Sequence, residues 1–543
     1  MRRVWDVIVI GGGAAGLRAA IAARQVGAQV LLMAKAPVGL ANCTAYSGSF
    51  SLAIAGLTPE EHRAMTWETG RYLSEPDLLT TLVAEAPQRV LELQRFGVKF
   101  DVRPERLSKV TMEAYGRPPL TGVALTRPLA EYAKEQGVVL ERGGFACKVL
   151  VDAEGVSGLV VVHPATCQVE TYRTRALVVA TGGAGAVYGR SDNPSRTSGD
   201  GHALLYRADV PLQDMEFVQF FPLGFAEPGF PSWIMPPGIL DRVPLTNSQG
   251  DDLKGEWMAN WGLSGSDLEV RKRGPVAVII AREIAAGRDV FLHLNELTDA
   301  QWGERHTAWL KRIYPRHFDP TLAPVRVAPI AHYTIGGVAV TTQGETSVPG
   351  LFACGEVTGG LDGADRLGGN ALSACIVFGA RAGQAAAQHA LATSPRSVGS
   401  DEQRVTERIR RWTGNEAGPR PEELRSKINR LADDCLGPAR EATGMRHALA
   451  ELEKIADQLG RQTLREQRDL LEALEVESLC LVAQLIGKAA MARMESRGVH
   501  FRSDYPAEDN LEWRKHIVLQ KKGESVEIRY HQADQPTEQA RHS

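Results

Sequence analysis

Val4-Trp-Asp-Val-Ile-Val-Ile-Gly11-Gly-Gly13-Ala-Ala-Gly16-Leu-Arg-Ala-Ala-Ile-Ala-Ala-Arg24 is the stretch that decides the fold. A short β-branched run predicts a buried strand, G-x-G-x-x-G a tight turn, and the alanine-rich continuation a helix. Gly11 makes the turn, Gly13 lets the backbone reach a pyrophosphate and Gly16 permits close helix packing. The helix N-terminus, with Ala14 and Ala15 in its first turn, then faces the anion. The expected function of this unit is dinucleotide binding. The next strand, Gln29-Val-Leu-Leu-Met-Ala34-Lys35, should end in an acidic residue that touches a ribose, but Ala34 stands there. The ribose contact must come from elsewhere.

A second glycine-rich region lies far downstream: Pro329-Ile-Ala-His332-Tyr-Thr-Ile-Gly336-Gly337, then Leu351-Phe-Ala-Cys-Gly355-Glu356, then Gly363-Ala-Asp-Arg366-Leu-Gly368-Gly369-Asn370-Ala-Leu372. Glycines let a backbone approach a large flat ligand. His332 and Arg366 among them are the two side chain types best suited to hold a carboxylate by charge-assisted hydrogen bonds. The pattern reads as a cofactor site abutting an acid site.

At 543 residues and 43% hydrophobic content the chain divides into more than one domain. A formal net charge of -3, with both signs interspersed, offers no basic stripe for nucleic acid. No apolar run approaches the roughly 18 residues of a membrane span, and Met1-Arg-Arg-Val-Trp-Asp6 leads into the first strand, so a cytoplasmic location without membrane insertion is expected. The seven cysteines are scattered without a C-x-x-C pair, which argues against a disulfide framework, a metal site or an iron–sulfur cluster within this chain.

The expected architecture is α/β. A Rossmann-like dinucleotide-binding domain spans 1–210 and 328–393. A proline- and aromatic-rich insertion over 211–327, with a helix near Val276 to Ala286, forms an α+β domain. A leucine-periodic helical bundle occupies 394–500, and 501–543 is a C-terminal tail.

These residues carry a family resemblance over nearly the whole chain. Gly11 to Gly16, Ala180-Thr-Gly-Gly183, Thr197-Ser-Gly-Asp200-Gly201, Met215-Glu-Phe-Val-Gln-Phe220, His332 to Gly337, Gly355-Glu356, Arg366 to Leu372 and Glu495-Ser-Arg-Gly-Val-His-Phe-Arg-Ser-Asp-Tyr-Pro506 occur in order. The sequence resembles the flavoproteins that include fumarate reductase and succinate dehydrogenase flavoprotein subunits and L-aspartate oxidase. The resemblance implies an FAD-binding domain, a capping domain closing over the flavin and a helical C-terminal domain. It implies FAD contacts at Gly11, Gly13, Ala14, Ala15, Gly16, Lys35, Thr44, Gly48, Ala180, Thr181, Gly182, Asp200, Gly355, Glu356, Asn370, Ala371 and Leu372. It further implies hydride exchange between flavin N5 and the C2–C3 bond of a carboxylic acid, with Arg273 handling the proton and His332 and Arg366 clamping the carboxylate. Such fixed donors orient the acid and stabilise charge as hydride arrives. Relatives often pair with an iron–sulfur electron-transfer subunit, which is the expected partner. Cys43 falls at or near the position where some relatives attach FAD through a histidine, so the FAD here is expected to be non-covalent.

The chain departs from the family at the far end of the pocket. Where relatives read His-Pro-Thr, this chain has Phe221-Pro222-Leu223, and the glycine- and glutamate-rich stretch that follows is replaced by Trp233-Ile-Met-Pro-Pro-Gly-Ile-Leu-Asp241-Arg242. Gly274 follows Arg273 where relatives have an acid. Lost donors should weaken binding of a second carboxylate. The expected substrate therefore has a less polar distal end, unless a neighbour such as Arg242 replaces the lost contacts. Two alternatives stay open: amine oxidation of the L-aspartate oxidase type, and an electron-transfer subunit whose pocket has decayed.

Overall fold

The structure, a computed structural model, describes residues 4–47, 49–54, 57–102, 109–112, 121–230, 232–255, 264–265, 273–308, 310, 318–396 and 401–533. The opening strand, Val4–Ile10, lies inside a seven-stranded sheet. Val139–Arg142, Val30–Ala34, Val4–Ile10, Gln168–Val179 and Leu351–Ala353 run parallel. The antiparallel pair Gly155–His163 and Phe145–Asp152 closes the other edge. The strand Val4–Ile10 is almost wholly buried, as a parallel strand covered on both faces must be.

Helix Ala14–Val26 follows the glycine turn. Gly11 has φ +120°, and a Cβ there would stand 2.0 Å from the Ala180 carbonyl oxygen; a Cβ on Gly16 would stand 2.0 Å from that of Gly11. Both contacts are with backbone, so neither position accepts a side chain without moving the helix. The same helix packs on Asn370–Ala392 through small residues. A Cβ on Gly383 would lie 2.1 Å from the Ala19 carbonyl oxygen. The alanine- and glycine-rich composition of both helices is thus what brings the two ends of the dinucleotide domain together.

The insertion contributes to a four-stranded antiparallel sheet in the order Val218–Phe225, Val325–Thr334, Val290–Leu292, Leu245–Asn247, whose strand Val325–Thr334 runs past the expected boundary at 327. It has its own core around Leu223, Val276, Ile280 and Trp302. Its helix is described over Arg273–Ala285, close to where the sequence pattern placed it. Helices Glu402–Thr413, Pro421–Cys435, Ala442–Leu459 and Asp469–Ala492 make up the C-terminal helical region. Beyond it, where the sequence pattern assigned no elements, Lys515–Lys522 and Ser525–Gln532 form a hairpin that pairs with Leu212–Gln213. His516 anchors this hairpin, its Nδ1 2.5 Å from Asp214 Oδ2. Burial pulls the imidazole down, but Asp214 outweighs it and holds the pKa up at about 9. Among the described residues, no helix is long and apolar enough to cross a membrane.

Candidate functional site

A cavity of about 1010 Å³ opens at the C-terminal end of the strand Val4–Ile10, lined by Gly11, Gly13, Ala14, Ala15, Lys35, Thr44, Ala180, Thr181, Gly182, Asp200, Gly355 and Glu356. This is where an open parallel sheet receives its ligand. Gly13, the N-cap residue of helix Ala14–Val26, has no side chain with which to cap it; the Ala14 amide donates to Thr44 Oγ1 at 3.2 Å, and the other amides of such an end seek acceptors. Gly182 has φ +79° and no protein atom within 4 Å of where its Cβ would sit. Thr181 Oγ1 is buried with no hydrogen-bond partner among the described residues. Open glycine, orphaned hydroxyl and the remaining first-turn amides of the helix together fit a large phosphate-bearing ligand.

Lys35, at the end of the second strand, turns to the protein. Its ammonium is bonded to Asp200, to Ser198 Oγ at 2.8 Å and to Glu475 Oε1 at 2.8 Å. Burial lowers its pKa, but Asp200 and Glu475 prevail and the net shift is upward. Glu475, fully buried on the helix Asp469–Ala492, also pairs with Arg425 at 2.9 Å and Arg196 at 3.1 Å. The helical region thereby reaches the dinucleotide cavity through a charge network that sequence spacing gave no means of finding.

A second cavity of about 1190 Å³ shares Cys43, Thr44, Glu356 and Cys375 with the first and extends beneath the inserted domain. Glu356 Oε1 accepts the Thr334 amide at 3.0 Å. Burial pushes its carboxyl up to about 7 against that hydrogen bond. Burial likewise keeps the Cys43 thiol well above its ordinary value, and Cys375 rises to about 12. Both are thiols rather than thiolates at neutral pH.

Arg273, His332, Arg366 and Phe221 all line this second cavity, so the structure brings together every residue the sequence singled out for the acid and the proton. The strands Val218–Phe225 and Val325–Thr334 carry Phe221 and His332, with register shifts between Gln219 and Phe220 and between Phe221 and Gly224. Such bulges re-aim side chains, and the Phe221 and His332 rings meet edge to face at 5.4 Å. The Arg273 guanidinium lies 5.0 Å from the Phe221 ring centre. Arg366 sits 4.3 Å over the Tyr333 ring and donates from Nη2 to Gln219 Oε1 at 3.0 Å. Gln219 donates in turn to Asp365 Oδ1 at 2.7 Å. Burial pushes the Asp365 carboxyl up to about 6, opposed by Gln219 and then Arg273. His332 Nδ1 stands 2.7 Å from Asp192 Oδ2. Asp192 and Gln219 escaped the sequence reading because they lie 140 positions from His332 and 147 from Arg366; Asp365 adjoins Arg366 but was not singled out.

Three residues named for the cofactor stand apart. Gly16 lines neither cavity and serves helix packing. The Asn370 side chain turns away from both, bonded to His62 Nε2 at 2.9 Å and Thr66 Oγ1 at 3.0 Å. Gly48 lies outside the described residues. The second cavity is also lined by Trp233, Ile234 and Pro236. Arg242, the candidate replacement for the lost polar contacts, pairs with Glu304 at 2.6 Å, both partly exposed, and does not line the cavity.

The FAD binding domain family matches residues 6–372, and the fumarate reductase flavoprotein C-terminal family matches residues 425–541. Among curated proteins, the chain is 31% identical to a fumarate reductase (CoM/CoB) subunit of Methanothermobacter marburgensis, covering 96% of this chain and 97% of that one. It is also 31% identical to an L-aspartate oxidase of Streptomyces coelicolor, over 95% and 91%. Among solved structures, an E. coli quinol fumarate reductase mutant superposes with TM-score 0.88 at 26% identity, covering 99% and 98% of the two chains. The matching domains, the relatives and the fold agree with the cavity geometry: the chain is an FAD-dependent oxidoreductase belonging to the fumarate reductase and succinate dehydrogenase flavoprotein family.

Proposed function

We propose that this enzyme interconverts a 2,3-unsaturated carboxylic acid and its saturated counterpart, and that the end of the acid remote from its carboxylate is apolar. Bound FAD supplies hydride exchange with the C2–C3 bond. The remaining work falls to the chain. The first cavity would hold the dinucleotide, with its pyrophosphate at the amides of Gly13 to Ala15 and its flavin end toward Thr44, Glu356, Ala371 and Leu372. No histidine is present at the Cys43 position and the thiol there is protonated, so the cofactor is held non-covalently.

Arg366 and His332 would take the carboxylate. Arg366 arrives preorganised, stacked on Tyr333 and bonded to Gln219, so little is lost in fixing it at the moment of reaction. Arg273, steadied on the Phe221 face, would pass the proton to and from C2 or C3. A guanidinium stays protonated, so its proton must be returned at once. The single observation that carries the substrate assignment is the wall made by Phe221, Trp233, Ile234 and Pro236. A second carboxylate set against this wall, whose only side-chain donor is the Trp233 indole N–H, forfeits charged hydrogen bonds worth about 1.5–3 kcal/mol each. The Arg242–Glu304 pair removes the one cation proposed to compensate.

Turnover also needs an electron donor or acceptor. The Methanothermobacter relative is named as one subunit of its enzyme, which supports association with a further subunit; an iron–sulfur electron-transfer subunit would fill that role. The test of the reading is anaerobic reduction of the flavoprotein followed by rapid mixing with fumarate and with 3-alkyl and 3-aryl acrylates. Reoxidation by the less polar acids at least tenfold faster than by fumarate is expected. Faster reoxidation by fumarate would refute the apolar wall as a specificity element, and oxidation of an amino acid alone would refute the reaction.

A further inference from the structure

We propose that the His332–Asp192 pair couples carboxylate binding to the uptake of one proton by the imidazole. The inference rests on the carboxylate-binding reading given above. His332 Nδ1 faces Asp192 Oδ2 at 2.7 Å. Asn193 Nδ2 clamps both partners, donating to Asp192 Oδ1 at 2.8 Å and to the His332 carbonyl at 2.9 Å. An ionised carboxylate only accepts, so Nδ1 must carry the hydrogen. In a neutral imidazole that leaves a lone pair on Nε2, which has no protein partner among the described residues and belongs to the cavity. A lone pair and a substrate carboxylate are both acceptors and cannot bond. Nε2 can hold the acid only after gaining a proton, and the incoming anion provides the charge that stabilises it.

The surroundings keep the imidazole neutral until then. Burial is the largest influence and pulls its pKa down; Asp192 opposes this, while Arg366 and Arg273 add to it. The acid offsets those two arginines. Of the other groups lining the cavity, Cys43, Tyr333 and Cys375 are all raised far from neutrality and do not titrate between pH 6 and 9. Glu356, pushed up to about 7, does titrate there, and its charge would also repel an anion; Asp362 and Asp365, raised to about 6 beside Arg366, titrate only at the lower end of the range. The experiment must therefore separate Glu356 from His332.

The FAD holoenzyme is titrated with phenylacetate, an apolar acid with no C2–C3 bond to desaturate, following the flavin spectrum from pH 6 to 9. Calorimetry in two buffers of different ionisation enthalpy counts protons. The wild type is expected to weaken by about tenfold per pH unit in the upper part of the range, with about one proton taken up. In Asp192→Asn the amide can donate to Nδ1 and leave hydrogen on Nε2, so affinity should be flat with pH and proton uptake absent. Glu356→Gln should keep the slope. A flat wild type, or a slope shared by Asp192→Asn and lost in Glu356→Gln, overturns the coupling while leaving the carboxylate site intact. Failure of phenylacetate to bind wild type at any pH instead removes the carboxylate reading and the coupling with it. Should Asp192→Asn lose FAD, the wild-type proton count and the Glu356→Gln slope decide the matter between them.

Discussion

Replacing Glu356 by Gln should stabilise the protein strongly at pH 8 and far less at pH 5. The carboxyl is raised from its ordinary value of 4.5 to about 7, first by burial, with the Thr334 amide and Arg366 pulling the other way. A raised acid means that the folded state prefers the protonated form. Below the unfolded pKa both states are protonated and the group costs nothing. As pH rises toward about 7, the unfolded chain ionises while the native chain cannot without loss, and above 7 the full cost is present. A shift of between two and three units corresponds to about 3 kcal/mol, a sizeable share of the roughly 5–15 kcal/mol that holds a domain folded. Gln keeps the Oε1 acceptor for the Thr334 amide, 3.0 Å away in the wild type, and cannot ionise. Urea denaturation of wild type and Glu356→Gln in saturating FAD, at pH 5 and pH 8, compares the two within each pH, so any pH-independent effect of the substitution cancels. With a urea slope of about 3 kcal/mol/M, the pH-dependent part should appear as a midpoint difference of about 1 M. A difference that does not change between the two pH values would refute the burial argument for Glu356.

Gly16→Ala should abolish FAD retention through the fold rather than through contact: its Cβ would fall 2.0 Å from the Gly11 carbonyl oxygen, and overpacking of this kind costs about 1–3 kcal/mol or more. Reduced thermal stability together with lost flavin is expected, and full flavin content at wild-type stability would contradict it. Phe221→His puts a donor into the apolar wall and removes the ring beneath Arg273. The kcat/KM ratio of fumarate to a 3-aryl acrylate should rise by about tenfold or more, the worth of one charged hydrogen bond of about 1.5–3 kcal/mol. An unchanged ratio would show that Phe221 does not select the substrate.

The dinucleotide half of the fold was legible because its glycines answer to backbone geometry. Gly11 and Gly16 are each excluded from bearing a Cβ by a carbonyl oxygen 2.0 Å away, and a constraint that local leaves a fixed spacing in the sequence. The proposed clamp residues could be named for a related reason: Arg366 and His332 lie in short glycine-rich motifs, and both line the second cavity. What could not be read was whatever depends on distant segments meeting. Lys35 and Glu475 are 440 positions apart and touch at 2.8 Å; Asp192 reaches His332 across 140 positions. The hairpin Lys515–Gln532 went unassigned because its outer strand is largely exposed and polar, so it lacks the clear alternation that marks a half-buried strand.

The apolar wall is better explained by a changed substrate than by a decayed pocket. Burying the Arg273 and Arg366 guanidiniums has a cost of several kcal/mol per charge unless each is held, the neutral His332 imidazole needs a hydrogen-bond partner, and each of the three is held differently. Arg366 has Tyr333 and Gln219, Arg273 has Phe221, and His332 has Asp192. Phe221 removes a donor from the distal end and, with the same ring, provides the face against which Arg273 rests. A single residue that strips one recognition element while seating the proton-handling group does not describe a site losing its chemistry. On the proposed reading, the carboxylate clamp and the proton donor are retained while the far wall is fitted to an apolar group.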